Sequence, residues 1–290
     1  MRIAMSCNVT KAIGSIILMQ LIAFYNLHAA SYVQGSSFAL APSLSQFTYQ
    51  EPGYMEDKGV MYGLTASYTW RGEKLGPVEM IKAEIAASWS SVDYTSINSG
   101  SINGIPDSMI ETRALMGTNL FPESRTVITP YAGLGYRRLT DKSEGMISTS
   151  GAFGYDRQAN YYYSPVGIEI SSDFEKGWSL GGLLEYDFFI NGTQITSIPQ
   201  DMRNNGSTVS SNFTNAQHGG YGLRASLKIK KKIDNAYAIV FEPYYRYWNI
   251  KVSNPDSVVI TDSQLNQKTI TVVEPANNSS EYGIKVELNF

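Results

Sequence analysis

Along most of the chain, apolar and polar residues alternate with a period of two. In the clearest run, Val60, Tyr62, Leu64, Ala66, Tyr68 and Trp70 share one parity, and Met61, Gly63, Thr65, Ser67 and Thr69 the other. A pattern of that length and period belongs to a half-buried strand, not to a helix. The same pattern places Ile81, Ala83, Ile85, Ala87 and Trp89 on one face of a strand, then Ile110, Ala114, Met116 and Leu120 on the next. Further sets follow at Ala132 to Tyr136, Tyr162 to Ile170, Leu180 to Phe188, Tyr221 to Ile229, Ile239 to Tyr247 and Tyr282 to Phe290. The first strand, near Ser43 to Gln50, is less regular, because Leu44 and Phe47 fall on opposite faces and suggest a bulge. The prediction is ten strands, with eight as the alternative count.

Strands of about eleven residues, rising about 3.3 Å each and tilted near 45°, cross roughly 25 Å, the height of the apolar band of a transmembrane barrel. Alternate connections are short, at residues 72–77, 122–125, 171–177 and 231–235. The others are mostly long, at 91–107, 141–159, 191–217 and 251–279, with only 51–58 compact. Outer-membrane barrels have short periplasmic turns, long outer loops and an even strand count. Trp70, Phe121, Trp178, Tyr237 and Phe290 fall at one rim of such a barrel, and Trp89, Tyr136, Phe188, Tyr221 and Tyr247 at the other, forming two aromatic girdles. The expected fold is therefore all-β: a closed, antiparallel, up-and-down transmembrane β-barrel. Pro130, Pro165 and Pro243 sit awkwardly in it, since a closed barrel has no free edge. Pro130 is expected at a strand start and a bulge at Pro243.

Residues 1–30 differ from the rest: Arg2 and Lys11 are their only charges, Ala12 to Tyr25 is mostly apolar, and His28-Ala29-Ala30 closes the segment. That is the layout of a secretory signal peptide, leaving residues 31–290 as the barrel domain. The apolar run of fourteen residues is shorter than the roughly 20 that a membrane-spanning helix needs. Cys7, the one cysteine, lies in the segment to be removed, so the mature chain has no disulfide, thiolate metal site or cysteine nucleophile. Without Arg2 and Lys11, 23 − 2 = 21 basic residues face 26 acidic ones, a net charge of −5 that argues against nucleic acid as a partner.

The chain closes on Tyr282-Gly283-Ile284-Lys285-Val286-Glu287-Leu288-Asn289-Phe290. The alternation of Tyr282, Ile284, Val286, Leu288 and Phe290 resembles the terminal-strand signal of small Gram-negative outer-membrane barrels. That resemblance implies recognition by the barrel assembly machinery, and an outer-membrane location among lipid and lipopolysaccharide. Loops outside and both termini in the periplasm follow from the even strand count.

By parity, Glu84, Glu111, Glu169, Glu185, Asp187, Glu242 and Glu287 point into the barrel with Lys82, Arg113, Arg137, Arg224, Lys228, Arg246 and Lys285, seven of each sign. Buried charges in equal number imply pairing across strands, whereas a selective pore is expected to carry a ring of one sign. About 8 strands enclose only side chains or one small ligand, and 16 to 18 leave an aqueous channel. These arguments predict a salt-bridge-filled lumen and a structural or adhesin-like role through polar outer loops such as Ser96 to Gly104 and Asn204 to Asn215, which are free to meet a surface ligand. The alternative is a narrow channel for ions or small solutes. A third comparison is with the omptin outer-membrane proteases, which in that family use paired acidic residues and an Asp-His dyad. Only His218 remains in the mature chain, near Glu185 and Asp187 in the strand order, and no second acidic pair stands opposite. No catalytic, cofactor or metal residues are therefore assigned, and the chain is expected not to be an enzyme.

Overall fold

The computed structural model describes residues 35–290 apart from 76, 123, 205 and 235. The expected signal peptide lies outside the described residues. Ten long strands form the wall: β1 (Gly35–Glu51), β2 (Met55–Leu75), β3 (Val78–Ser96), β4 (Gly100–Gly117), β5 (Thr126–Asp141), β6 (Arg157–Asp173), β7 (Trp178–Thr196), β10 (Gly220–Lys232), β11 (Ala238–Ile250) and β14 (Asn277–Asn289). Each is antiparallel to its neighbours, and the sheet closes because β14 pairs with β1 while β10 bridges β7 and β11. Closure leaves no unpaired edge in the wall, as a strand-built membrane protein requires. At the end that carries the long connections, α1 (Gln200–Asn204) precedes β8 (Thr208–Val209), and β9 (Phe213–Gln217) extends the wall beside β7. There β12 (Asp256–Thr261) pairs with β8 and β13 (Gln267–Val272) in a separate small sheet.

The parity of the sequence is the parity of the wall. Tyr62, Ile85, Met116, Leu134, Leu184, Leu227 and Tyr282 face outward and are exposed, while Met61, Glu111, Arg137, Glu185, Arg224 and Glu281 face inward and are buried. Exposed apolar side chains over a closed sheet form the lipid-facing band of a membrane barrel. Rings gather at both rims: Tyr237 and Phe290 meet edge to face at 5.6 Å, and Tyr186, Tyr221 and Tyr247 follow one another at 5.8 and 6.2 Å.

Four expectations about the strands are corrected. The register of β1 against β14 runs unshifted from Ala39 to Gln50, so Leu44 and Phe47 mark no bulge. Leu44 faces lipid, and Phe47 is fully buried in the lumen; an inward aromatic breaks no parity when the lumen itself has an apolar layer. Pro243 makes no bulge either: it stays in register with Ile284, and its missing N–H is accommodated by a local gap in the ladder to β10, with no loss of pairing to β14. Pro130 lies within β5, paired with Ile168, not at its start. The supposed loop at 91–107 is mostly ladder, since β3 and β4 pair out to Ser96 and Gly100 around a three-residue turn.

Two glycines make room for the tyrosines that fill the lumen. Gly135 is the cross-strand partner of Tyr163, and Gly167 that of Tyr131. A Cβ on Gly135 would stand 2.2 Å from the Tyr163 ring, and one on Gly167 2.5 Å from that of Tyr131. Each ring lies over the bare backbone opposite it, the aromatic–glycine pairing that pins strand register.

Candidate functional site

The lumen is filled in layers. Across its middle, Arg224 on β10 contacts Glu111 on β4 through both terminal nitrogens, and its Nε lies 2.9 Å from Glu185 and 3.1 Å from Asp187 on β7. Arg113 joins Glu185 to Glu84, whose other oxygen meets Lys82 at 3.1 Å. Arg246 stands between Glu111 at 3.5 Å and Glu281 at 3.6 Å. Toward the short turns, Lys228 pairs with Glu169 and Lys285 with Glu242, at 3.2 and 3.1 Å. Tyr131 and Tyr163 donate hydroxyl hydrogen bonds to Glu185 and Glu111, both at 2.7 Å. These contacts pair charges that would be prohibitively costly alone so far from water, while Arg113 Nε and one Asp187 oxygen stay buried without a hydrogen-bond partner.

Two charges expected in ion pairs are held otherwise. Among the described residues, neither Arg137 nor Glu287 has an opposite charge within 4.0 Å. Arg137 donates from Nε to the Met109 sulfur at 3.1 Å and lies 5.6 Å from the Trp248 ring centroid. Glu287 accepts from the Asn289 amide at 3.2 Å. Arg71 and Glu281, absent from the sequence-based set, enter through contacts to Glu169 and Arg246.

Above the charges, toward the long connections, lies an apolar layer built on Phe47, Met61, Val92, Tyr161, Tyr163 and Trp248. Trp248 meets Tyr163 edge to face at 5.0 Å and Tyr161 at 5.8 Å. Phe47, Met61, Val92 and Tyr163 are 0 % exposed. Among the charges, a cavity of about 40 Å³ touches Lys82, Glu84, Glu169, Glu242 and Lys285.

A second charged cluster lies beyond the aromatic belt, at the end with the long connections. Arg157, at the start of β6, bonds Glu51 at 3.1 Å, Asp57 at 2.7 Å and Asp141 at 3.0 Å, and lies 5.5 Å from the Tyr49 ring centroid. The Tyr49 hydroxyl donates to Glu274 at 3.1 Å, and Asp107 is the cross-strand partner of Asp141. Burial pushes the Asp57 carboxyl up to about 6, against the pull of Arg157, and burial with nearby Glu51 pushes Glu274 up to about 7. Parity carries the signal for this cluster: Asp57 shares the inward face with Met61, Asp107 with Glu111 and Asp141 with Arg137.

His218 does not join Glu185 and Asp187. It is exposed, beside the fully buried Gln217. Gln217 pairs with Gly192, five residues along β7 from Asp187 and so about 16 Å away at the rise of a strand. Both carboxylates are committed to arginines. Among the described residues no group of three His, Cys, Asp or Glu is placed to hold a metal ion.

No family model matches the chain, and no curated protein matches it. Among solved structures, it is similar to the outer-membrane protease OmpT from Escherichia coli, with a TM-score of 0.65 over 92% of this chain and 99% of that one, at 10% identity. The fold is that of an outer-membrane β-barrel. Matches to the translocator domain of the autotransporter NalP from Neisseria meningitidis (TM-score 0.43, 12% identity, 97% and 96% covered) and to Ail, the attachment invasion locus protein of Yersinia pestis (0.34, 11%, 89% and 100%), are looser. At 10% identity the likeness to OmpT is one of fold alone.

Proposed function

We propose that this chain is a non-conducting barrel of the Gram-negative outer membrane that acts at the cell surface, binding through the end that carries its long connections. In this reading those connections face outside, both termini lie in the periplasm among lipid and lipopolysaccharide, and Tyr282, Ile284, Val286, Leu288 and Phe290 present the terminal strand to the assembly machinery. The observation that carries it is the closed lumen: an ion-pair layer and a dry apolar layer cross the same bore. A barrel that cannot pass solute is left with its exposed ends to work through. The end with the long connections is built for contact, with a small folded sheet and with Tyr54, Ile97, Ile147 and Leu265 exposed at successive turns. Exposed apolar side chains on a polar, folded surface mark an interaction site.

The test has three arms. The mature protein in an outer-membrane fraction changes gel mobility on boiling. Whole cells treated with protease lose epitopes inserted at 262–266 and keep those at 231–235. Purified protein in a planar bilayer shows no stepwise conductance, and stepwise conductance overturns the reading in favour of a channel.

A further inference from the structure

The cluster around Arg157 holds one cation among five carboxylates: Glu51 on β1, Asp57 on β2, Asp107 on β4, Asp141 on β5, and Glu274 in the segment between β13 and β14. The other ionisable groups facing it are Tyr49, Tyr94, Tyr155 and Tyr161, and β7 contributes only the neutral Gln194. Asp57, Asp107 and Asp141 are 3%, 5% and 7% exposed. Each keeps one buried carboxylate oxygen without a hydrogen-bond partner, beside a cavity that all three line. Like charges directly opposite across a ladder, as Asp107 and Asp141 are, repel. A buried ionised oxygen without a donor is costly, whereas a protonated carboxyl gains an O–H that a neighbouring carboxylate accepts. A metal ion is the poorer neutraliser here, because the guanidinium already stands between Asp57 and Asp141 and no set of three ligands is placed for one.

We propose that this cluster is a proton-operated clasp: proton uptake draws the β1–β2 hairpin, the starts of the β5–β6 and β13–β14 connections and Arg157 together, and proton loss loosens them. The clasp is independent of what the surface binds. The raised positions of Asp57 near 6, Glu274 near 7 and Asp107 well above its usual range agree with it. A carboxyl raised in the folded state contributes stability that is fully present below its unfolded value near 4 and is lost as pH rises through the folded value. Loosening therefore belongs to the window above about pH 6.

The test is hydrogen exchange of the full mature chain refolded in detergent micelles, at about pH 5.5 and about pH 8.5, corrected for intrinsic exchange. Protection of residues 49–57 and 272–277 is expected to fall roughly tenfold or more at the higher pH, while that of 109–116 and 222–227 holds. The doubly neutral variant Asp107→Asn with Glu274→Gln, which removes charge but no ion pair, is expected to stay protected at both pH values. Equal protection at both pH values in the parent overturns the clasp, as does an undiminished pH response in the variant. Full restoration at the higher pH by millimolar calcium also overturns it, assigning the cluster to a metal.

Discussion

Replacing Arg224 by Met tests whether the charged layer is one interdependent unit. The substitution keeps an unbranched side chain of similar reach but removes every donor. Glu111 retains Arg246 at 3.5 Å, and Glu185 retains Arg113. Asp187 is left alone: it is 0% exposed, and Arg224 is the one cation within 4.0 Å of it among the described residues. Stranding one partner of a buried pair costs about 3–5 kcal/mol. The expected result is a loss of that size in urea unfolding followed by tryptophan fluorescence in micelles. The double variant Arg224→Met with Asp187→Asn removes the stranded charge and is expected to recover more than half of the loss. Arg224→Lys recovers less, because one ammonium cannot reproduce the fork that spans Glu111 and Asp187. A single variant within about 1 kcal/mol of the parent, or a double variant no better than the single, would refute the reasoning.

Three further outcomes are expected. Phe47→Ala empties the centre of the apolar layer and lowers unfolding stability by about 3–5 kcal/mol, measured in the same urea titration. Gly135→Val drives side-chain atoms into the Tyr163 ring and dislodges its hydroxyl from Glu111, which is read as loss of the compact unboiled gel band. His218→Ala leaves stability and surface binding unchanged, since the side chain is exposed and has no carboxylate partner among the described residues; loss of a peptide-cleaving activity in that variant would restore the protease alternative.

The wall was legible because lipid forces every second residue outward to be apolar, and that constraint repeats on each strand. Its limits have the same origin. Beyond the aromatic belt the outward residues meet water, the alternation fades, and Ser91 to Asp107 looks like a loop although its backbone still pairs out to a three-residue turn. Pro130 and Pro243 looked like breaks because a proline cannot donate to a ladder. At Pro243 the wall simply omits the pairs opposite it on β10 and loses nothing on β14.

The contents of the lumen were half legible, and the missing half decides what the barrel can do. Charged residues on the inward parity stand out against an apolar wall, so Glu111, Arg113, Glu185 and Arg224 were identifiable without coordinates. Phe47, Met61, Tyr163 and Trp248 share that parity, but an apolar residue in a membrane strand is no signal by itself, and Phe47 looked like an error of register. Position changes their meaning: together they form a dry layer across the bore, directly above ion pairs that would otherwise be wetted from that end. The two layers support one another physically, since the apolar layer keeps water from the charges and so strengthens their attraction, while the fixed charges deny the apolar side chains room to separate. A channel would need both layers to open at once. That joint requirement, more than the equal number of charges, is what supports the proposal that the barrel works through the end with the long connections.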